Sequence, residues 1–155
     1  MTLDRTPLFS VKRVSPHKRS YLTIVRISAW YDLLVTAGFA TPWTFVLVHR
    51  VLSSVGTFPP ADTMQMLFAN LMGSVVVVWS LLRLLRTLPL HGLYDGFARG
   101  LFACWQAYAL AHGASRVLLA FLVVEVSFGV LQLLPWLRDA LRGRGRTRPA
   151  RPPVR

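Results

Sequence analysis

Apolar residues come in long blocks along this chain, with polar residues gathered between the blocks and at both ends. Residues 68–82 read FANLMGSVVVVWSLL and residues 117–137 read VLLAFLVVEVSFGVLQLLPWL. With its flanks, each block is long enough to cross about 30 Å of hydrocarbon at 1.5 Å per residue. Two interrupted blocks accompany them: residues 21–40, broken by Arg26 and Asp32, and residues 91–111, broken by Asp95 and Arg99. The pattern predicts four spans, over about 21–40, 63–85, 91–111 and 115–137.

A fifth, shorter element is predicted between the first two spans. Thr41-Pro42-Trp43-Thr44 has the form of a helix start, a hydroxyl N-cap followed by proline at the first helical position. The helix would run over about 42–55, with His49, Arg50, Ser53 and Ser54 on an otherwise apolar surface, and stop before Gly56 and Pro59-Pro60. It reads as an interfacial or re-entrant helix; the alternative is one long first span kinked at Pro42. The next span has its own start signal at Asp62 or Thr63. The expected fold is therefore all-α: a polytopic membrane four-helix bundle with one extra short helix after the first span. Residues 1–20 would form a basic cytoplasmic segment, 21–137 the membrane domain, and 138–155 a disordered basic tail.

Composition agrees with a membrane class. Hydrophobic residues make up 54% of the 155 and charged residues 15%, with a mean hydropathy of +0.46, which argues against a soluble domain. Residues 1–20 lack the apolar core of a secretory signal, so the first span is expected to be retained. The lone Cys104 excludes an intramolecular disulfide and a Cys-x-x-Cys redox centre.

The excess of 18 basic over 6 acidic residues has a direction. Arg5, Lys12, Arg13, Lys18 and Arg19 precede the first span, Arg83 and Arg86 fall between spans two and three, and Arg138, Arg142, Arg144, Arg146, Arg148, Arg151 and Arg155 follow the last. Only Arg50 and Arg116 lie on the opposite side. The positive-inside rule then places both termini and the middle loop in the cytoplasm. Arg142, Arg144, Arg146 and Arg148 would meet anionic lipid head groups, a better fit for a juxtamembrane basic tail than nucleic acid.

Charges inside the spans are the strongest functional lead. Each costs roughly 2.5–3.5 kcal/mol near the bilayer centre on insertion scales, so such residues usually face the bundle interior. Counting depth at 1.5 Å per residue puts Asp32 and Arg99 at about 10–12 Å and Glu125 at about 15 Å, one shared layer. Asp95, four residues before Arg99, would be its local partner, and Asn70 would seek a partner in the same interior. One arginine leaves acids over, so at least one of Asp32 and Glu125 is expected to carry a proton unless a cation or a wet cavity supports it.

Span three also carries Gly92, Gly96, Gly100 and Cys104 at intervals of four, a small-residue row along which another helix can approach closely. A short repeat relates spans one and three: Trp30-Tyr31-Asp32 with Phe39-Ala40 aligns with Leu93-Tyr94-Asp95 with Phe102-Ala103 at an offset of 63. Four histidines are scattered, and no zinc motif, phosphate-binding glycine loop or nucleophile elbow is present. No metal or cofactor is expected.

The layout, with a polar residue followed by glycine early in span two, here Asn70-Leu71-Met72-Gly73, resembles the DoxX-like superfamily of small bacterial membrane proteins. That resemblance implies a four-helix inner-membrane protein, sometimes a partner of quinone-linked or thiol-oxidising enzymes. Where this chain has Asn70 the family often has an acidic residue. The expected function is an accessory membrane protein that binds a partner protein, lipid or a second copy through the glycine face and basic tails. The alternative is a small proton-linked transporter or quinone-reactive subunit using Asp32, Arg99 and Glu125.

Overall fold

The computed structural model describes the backbone of residues 16–144 and side chains over 18–141; Arg146 and Arg148 lie outside these residues. All regular structure among the described residues is helical: α1 (Pro16–Thr36), a 3-10 turn (Ala37–Phe39), α2 (Pro42–Val55), α3 (Thr63–Leu85), α4 (Pro89–Ala111) and α5 (Leu118–Arg144). Helix α1 thus begins inside the segment read as an N-terminal extension. Helix α5 continues beyond residue 137, so Arg142 and Arg144 stand on its last turns rather than in a disordered tail.

Local chemistry sets the helix starts. The Thr41 side chain accepts from the Thr44 N–H at 3.3 Å and Pro42 occupies the first turn of α2. A separate, capped α2 replaces the alternative of one long kinked span. Asp62 and Gln65 form a reciprocal capping box on α3, with Gln65 N–H donating to Asp62 Oδ1 at 2.7 Å and Asp62 N–H to Gln65 Oε1 at 3.2 Å. Pro89 opens α4 in the same way that Pro42 opens α2.

Three stretches, Lys18–Phe39, Thr63–Leu85 and Leu118–Leu141, are long and apolar enough to cross a membrane. Helix α4 matches them in length, about 34 Å for its 23 residues, but His91, Asp95, Arg99 and Gln106 make it less apolar. Polarity is distributed opposite to that of a water-soluble core. Only Tyr21, Val25, Ala29 and Phe45 are buried hydrophobic residues among those described, whereas Ser28, Asp32, Ser80, Arg83, Asp95, Arg99, Glu125 and Gln132 are buried polar ones. Large apolar side chains such as Leu34, Val75, Phe97, Trp105 and Val123 lie outside. In hydrocarbon that distribution is the stable one, because apolar surface needs no cover and polar groups do.

The helices pack as two pairs, α1 with α3 and α4 with α5, and α1 joins the pairs by touching both α4 and α5. Contacts fix the directions. Tyr21, early in α1, donates to the carbonyl of Gln132 at 3.1 Å and accepts from Trp136 Nε1 at 2.9 Å, both late in α5. Gly92, early in α4, lies against Tyr21 and Val25. Helices α1 and α4 therefore run together, and α3 and α5 return. At the far end the 3-10 turn crosses α3 at Gly73, where an added Cβ would lie 2.6 Å from the backbone carbon of Phe39. Backbone cannot yield there as a side chain tip would. Gly73→Ala is expected to cost about 1–3 kcal/mol, read as a lower midpoint of thermal or denaturant unfolding in lipid or detergent.

Candidate functional site

The buried polar residues converge into one ionic cluster that draws on all four long helices. Four of its members form a closed square. Arg83 on α3 reaches Asp32 on α1 and Asp95 on α4, each at 2.5 Å. Arg99 on α4 reaches the same two acids, Asp32 at 2.7 Å and Asp95 at 3.1 Å. Each arginine meets both aspartates and each aspartate both arginines, so the square is electrically neutral. Glu125 on α5 attaches to one corner, through Arg99 Nη1 to its Oε2 at 2.8 Å.

Neutral donors complete the coordination. Asp95 Oδ2 accepts from Gln132 Nε2 at 2.7 Å and from Ser28 at 3.3 Å, while Oδ1 accepts from Trp79 Nε1 at 3.2 Å. Ser28 also receives Gln132 Nε2 at 2.8 Å and Arg83 Nη1 at 3.3 Å, and Arg83 Nη2 reaches Ser80 at 3.2 Å. The two guanidiniums lie against rings: Arg83 is 5.7 Å from the centroid of Trp79, and Arg99 is 4.9 Å from that of Phe128. Helices α3 and α4 are neighbours in sequence yet share few backbone contacts. Arg83 and Trp79 on Asp95, with the Trp79 ring beside His91, join them. Two buried atoms of the cluster, Arg83 Nε and Gln132 Oε1, have no hydrogen-bond partner.

The structure brings Asp32, Arg99 and Glu125 together as the depth count implies, and corrects three other expectations. Arg83 is wholly buried inside the cluster, not in the loop between spans. Helix α3 runs on to Leu85, so Arg83 sits within its last turn and its long side chain turns inward. Asp95 is more than a local partner of Arg99: it takes bonds from four helices. Asn70 stands apart, its Oδ1 buried without a partner. It is 13 residues from Arg83 along α3, about 20 Å, too far to enter the layer. Gln132, Ser28 and Trp79 were not expected in the site; Gln132 alone, a primary amide inside the most apolar block, offered a sequence signal.

The glycine row divides. Gly92 faces α1 and Gly96 faces Leu133 of α5, but above Gly100 there is open space and Cys104 is exposed. Beside Gly100 a groove of about 300 Å³ runs between α4 and α5, with Gly96, Gly129 and Leu133 in its lining and Arg99 and Glu125 at its polar end. Two histidines on the far side serve local structure: His49 Nε2 contacts the Pro59 carbonyl at 3.0 Å and His112 Nδ1 that of Tyr108 at 2.8 Å. Among the described residues, no group of three or more His, Cys, Asp or Glu is placed to hold a metal ion.

Fold and site define a helical protein with three membrane-competent helices and an ion-paired polar interior. No family model matches the sequence, and neither do any curated proteins or solved structures. These comparisons give the DoxX-like resemblance no support, and no residue role is taken from it.

Proposed function

We propose that this chain is an accessory, non-catalytic integral membrane protein with α4 as its fourth span, and that its α4–α5 face seats a transmembrane helix of a partner protein. The groove between α4 and α5 carries this reading. Its lining includes Gly100, above which there is open space, so a second backbone can come close there. Its α5 side extends from Glu125 to Leu137, about 18 Å or three helical turns. The buried charges support an accessory role, since both guanidiniums and both aspartates are engaged with one another and join the helix pairs.

Orientation belongs to the same proposal. With Arg83 taken into the interior, the middle loop retains Arg86, and the basic residues of 1–20 and 138–155 still outnumber Arg50 and Arg116 on the other side. Both termini are assigned to the cytoplasmic face of a bacterial inner membrane, with the terminal arginines on anionic lipid.

Cys104, exposed one turn beyond Gly100, is the natural probe. A maleimide–diazirine cross-linker on Cys104 in native membranes is expected to capture one defined protein. Gly100→Leu should lower that capture about tenfold, the effect of ~1.4 kcal/mol, while Cys104 labelling is unchanged. No captured species, or capture indifferent to Gly100→Leu, contradicts the proposal.

A further inference from the structure

The ionic cluster does not balance. Asp32, Asp95 and Glu125 face Arg83 and Arg99, three acids against two guanidiniums, which leaves one negative charge in the interior. His91 does not supply the missing cation: its ring lies tilted at 60° beside Trp79, 5.6 Å between centroids, and it makes no ion pair with any of the three acids. An unbalanced charge at this depth is costly, and one bound proton removes it.

Geometry distinguishes the acids. Both oxygens of Asp32 lie 2.7 Å from Arg99 Nη2, and Oδ2 also takes Arg83. Both oxygens of Asp95 are engaged, by two guanidiniums, Gln132, Ser28 and Trp79. Among the described residues Glu125 has one bond, from Arg99 to Oε2, and its Oε1 accepts none. It is the acid outside the neutral square, and the one that lines the apolar groove. The groups facing it are Asp32 and Tyr31 from α1 and Arg99 and Asp95 from α4, with Arg83 of α3 behind the two aspartates. The Phe128 ring contacts both Tyr31, at 5.7 Å between centroids, and the Arg99 guanidinium, at 4.9 Å.

We propose that Glu125 is a proton-binding site: it holds the one proton that the buried cluster lacks and, where no partner helix fills the α4–α5 groove, exchanges it with the lipid phase through that groove. This inference rests on the placement of α4 and α5 in the membrane and not on a partner helix.

Two measurements on the full chain in lipid nanodiscs at neutral pH test it. Infrared spectroscopy is expected to show a protonated-carboxyl C=O band that disappears in Glu125→Gln, a substitution that keeps the amide carbonyl as an acceptor for Arg99. Dicyclohexylcarbodiimide, an apolar reagent of the size of the groove, is expected to modify wild-type Glu125. The acid O–H adds across one C=N bond, oxygen to carbon and proton to nitrogen, and the O-acylisourea rearranges to a stable N-acylurea located by peptide mass spectrometry. A water-soluble carbodiimide should react at least about tenfold more slowly. Absence of the band, its persistence in Glu125→Gln, or an adduct on Asp32 or Asp95 overturns the assignment of the proton. A band lost in Glu125→Gln without any adduct overturns access from the lipid. The wild-type adduct keeps the inference testable should the Gln variant fail to assemble.

Discussion

Arg99→Ala is expected to abolish recovery of a folded, monodisperse protein. Arg99 donates to Asp95 through Nε, to Glu125 through Nη1 and to Asp32 through Nη2, and it is 2% exposed. Removing it leaves three acids on three helices with Arg83 as the remaining cation. Loss of one partner from a buried ion pair costs about 3–5 kcal/mol, and here one change breaks the pairs with both aspartates and the bond to Glu125. Arg99→Lys is expected to rescue little, because an ammonium cannot span three acids in the directions that the planar guanidinium reaches. The readout is the monodisperse fraction after mild detergent extraction, with unfolding monitored in lipid. An Arg99→Ala protein that extracts and unfolds like the wild type contradicts the packing described.

Arg83→Ala should have the second largest effect, and it separates two accounts of the same residue. An arginine at the cytoplasmic end of a span would act on topology and leave stability nearly unchanged. In the structure Arg83 has no exposed surface and joins α3 to α1 and α4, so its loss is expected to cost about 3–5 kcal/mol. Arg86, three residues on and exposed, provides the control: Arg86→Ala should stay within about 0.5 kcal/mol of wild type. Equal effects at the two positions would return Arg83 to the loop.

These two arginines also mark the limit of what the sequence reveals. Helix starts at Thr41-Pro42 and at Asp62 with Gln65 are legible because capping is local: the residues that form the bond lie within four positions of each other. The layer of Asp32, Arg99 and Glu125 is legible because helical rise is constant, so position in a span converts to depth. Arg83 resists that reasoning. Near the end of a span, an arginine side chain can extend outward to head groups or fold inward, and depth does not distinguish these. The clue was lateral, since Trp79 and Ser80 lie on the same face of α3 one turn earlier. Period likewise sets the glycine row but not what faces it. Helix α4 lies between α1 and α5, so Gly92 and Gly96 meet different neighbours and Gly100 meets none. The pairing of aspartates in the short repeat is mirrored in the site, where Asp32 and Asp95 each hold both arginines, although Tyr94 is exposed and Tyr31 packs inward on Phe128.

The central claim is that a buried square of two arginines and two aspartates joins one helix pair to the other. A double-mutant cycle on Arg83→Ala and Asp95→Asn, with unfolding free energies measured in the same lipid, tests it most directly. The two residues are on different helices and meet at 2.5 Å. Removing either alone strands a buried partner, whereas removing both deletes a charge pair. The account predicts a double variant less destabilised than the sum of the single ones by more than about 1 kcal/mol; additivity within about 0.5 kcal/mol would contradict it.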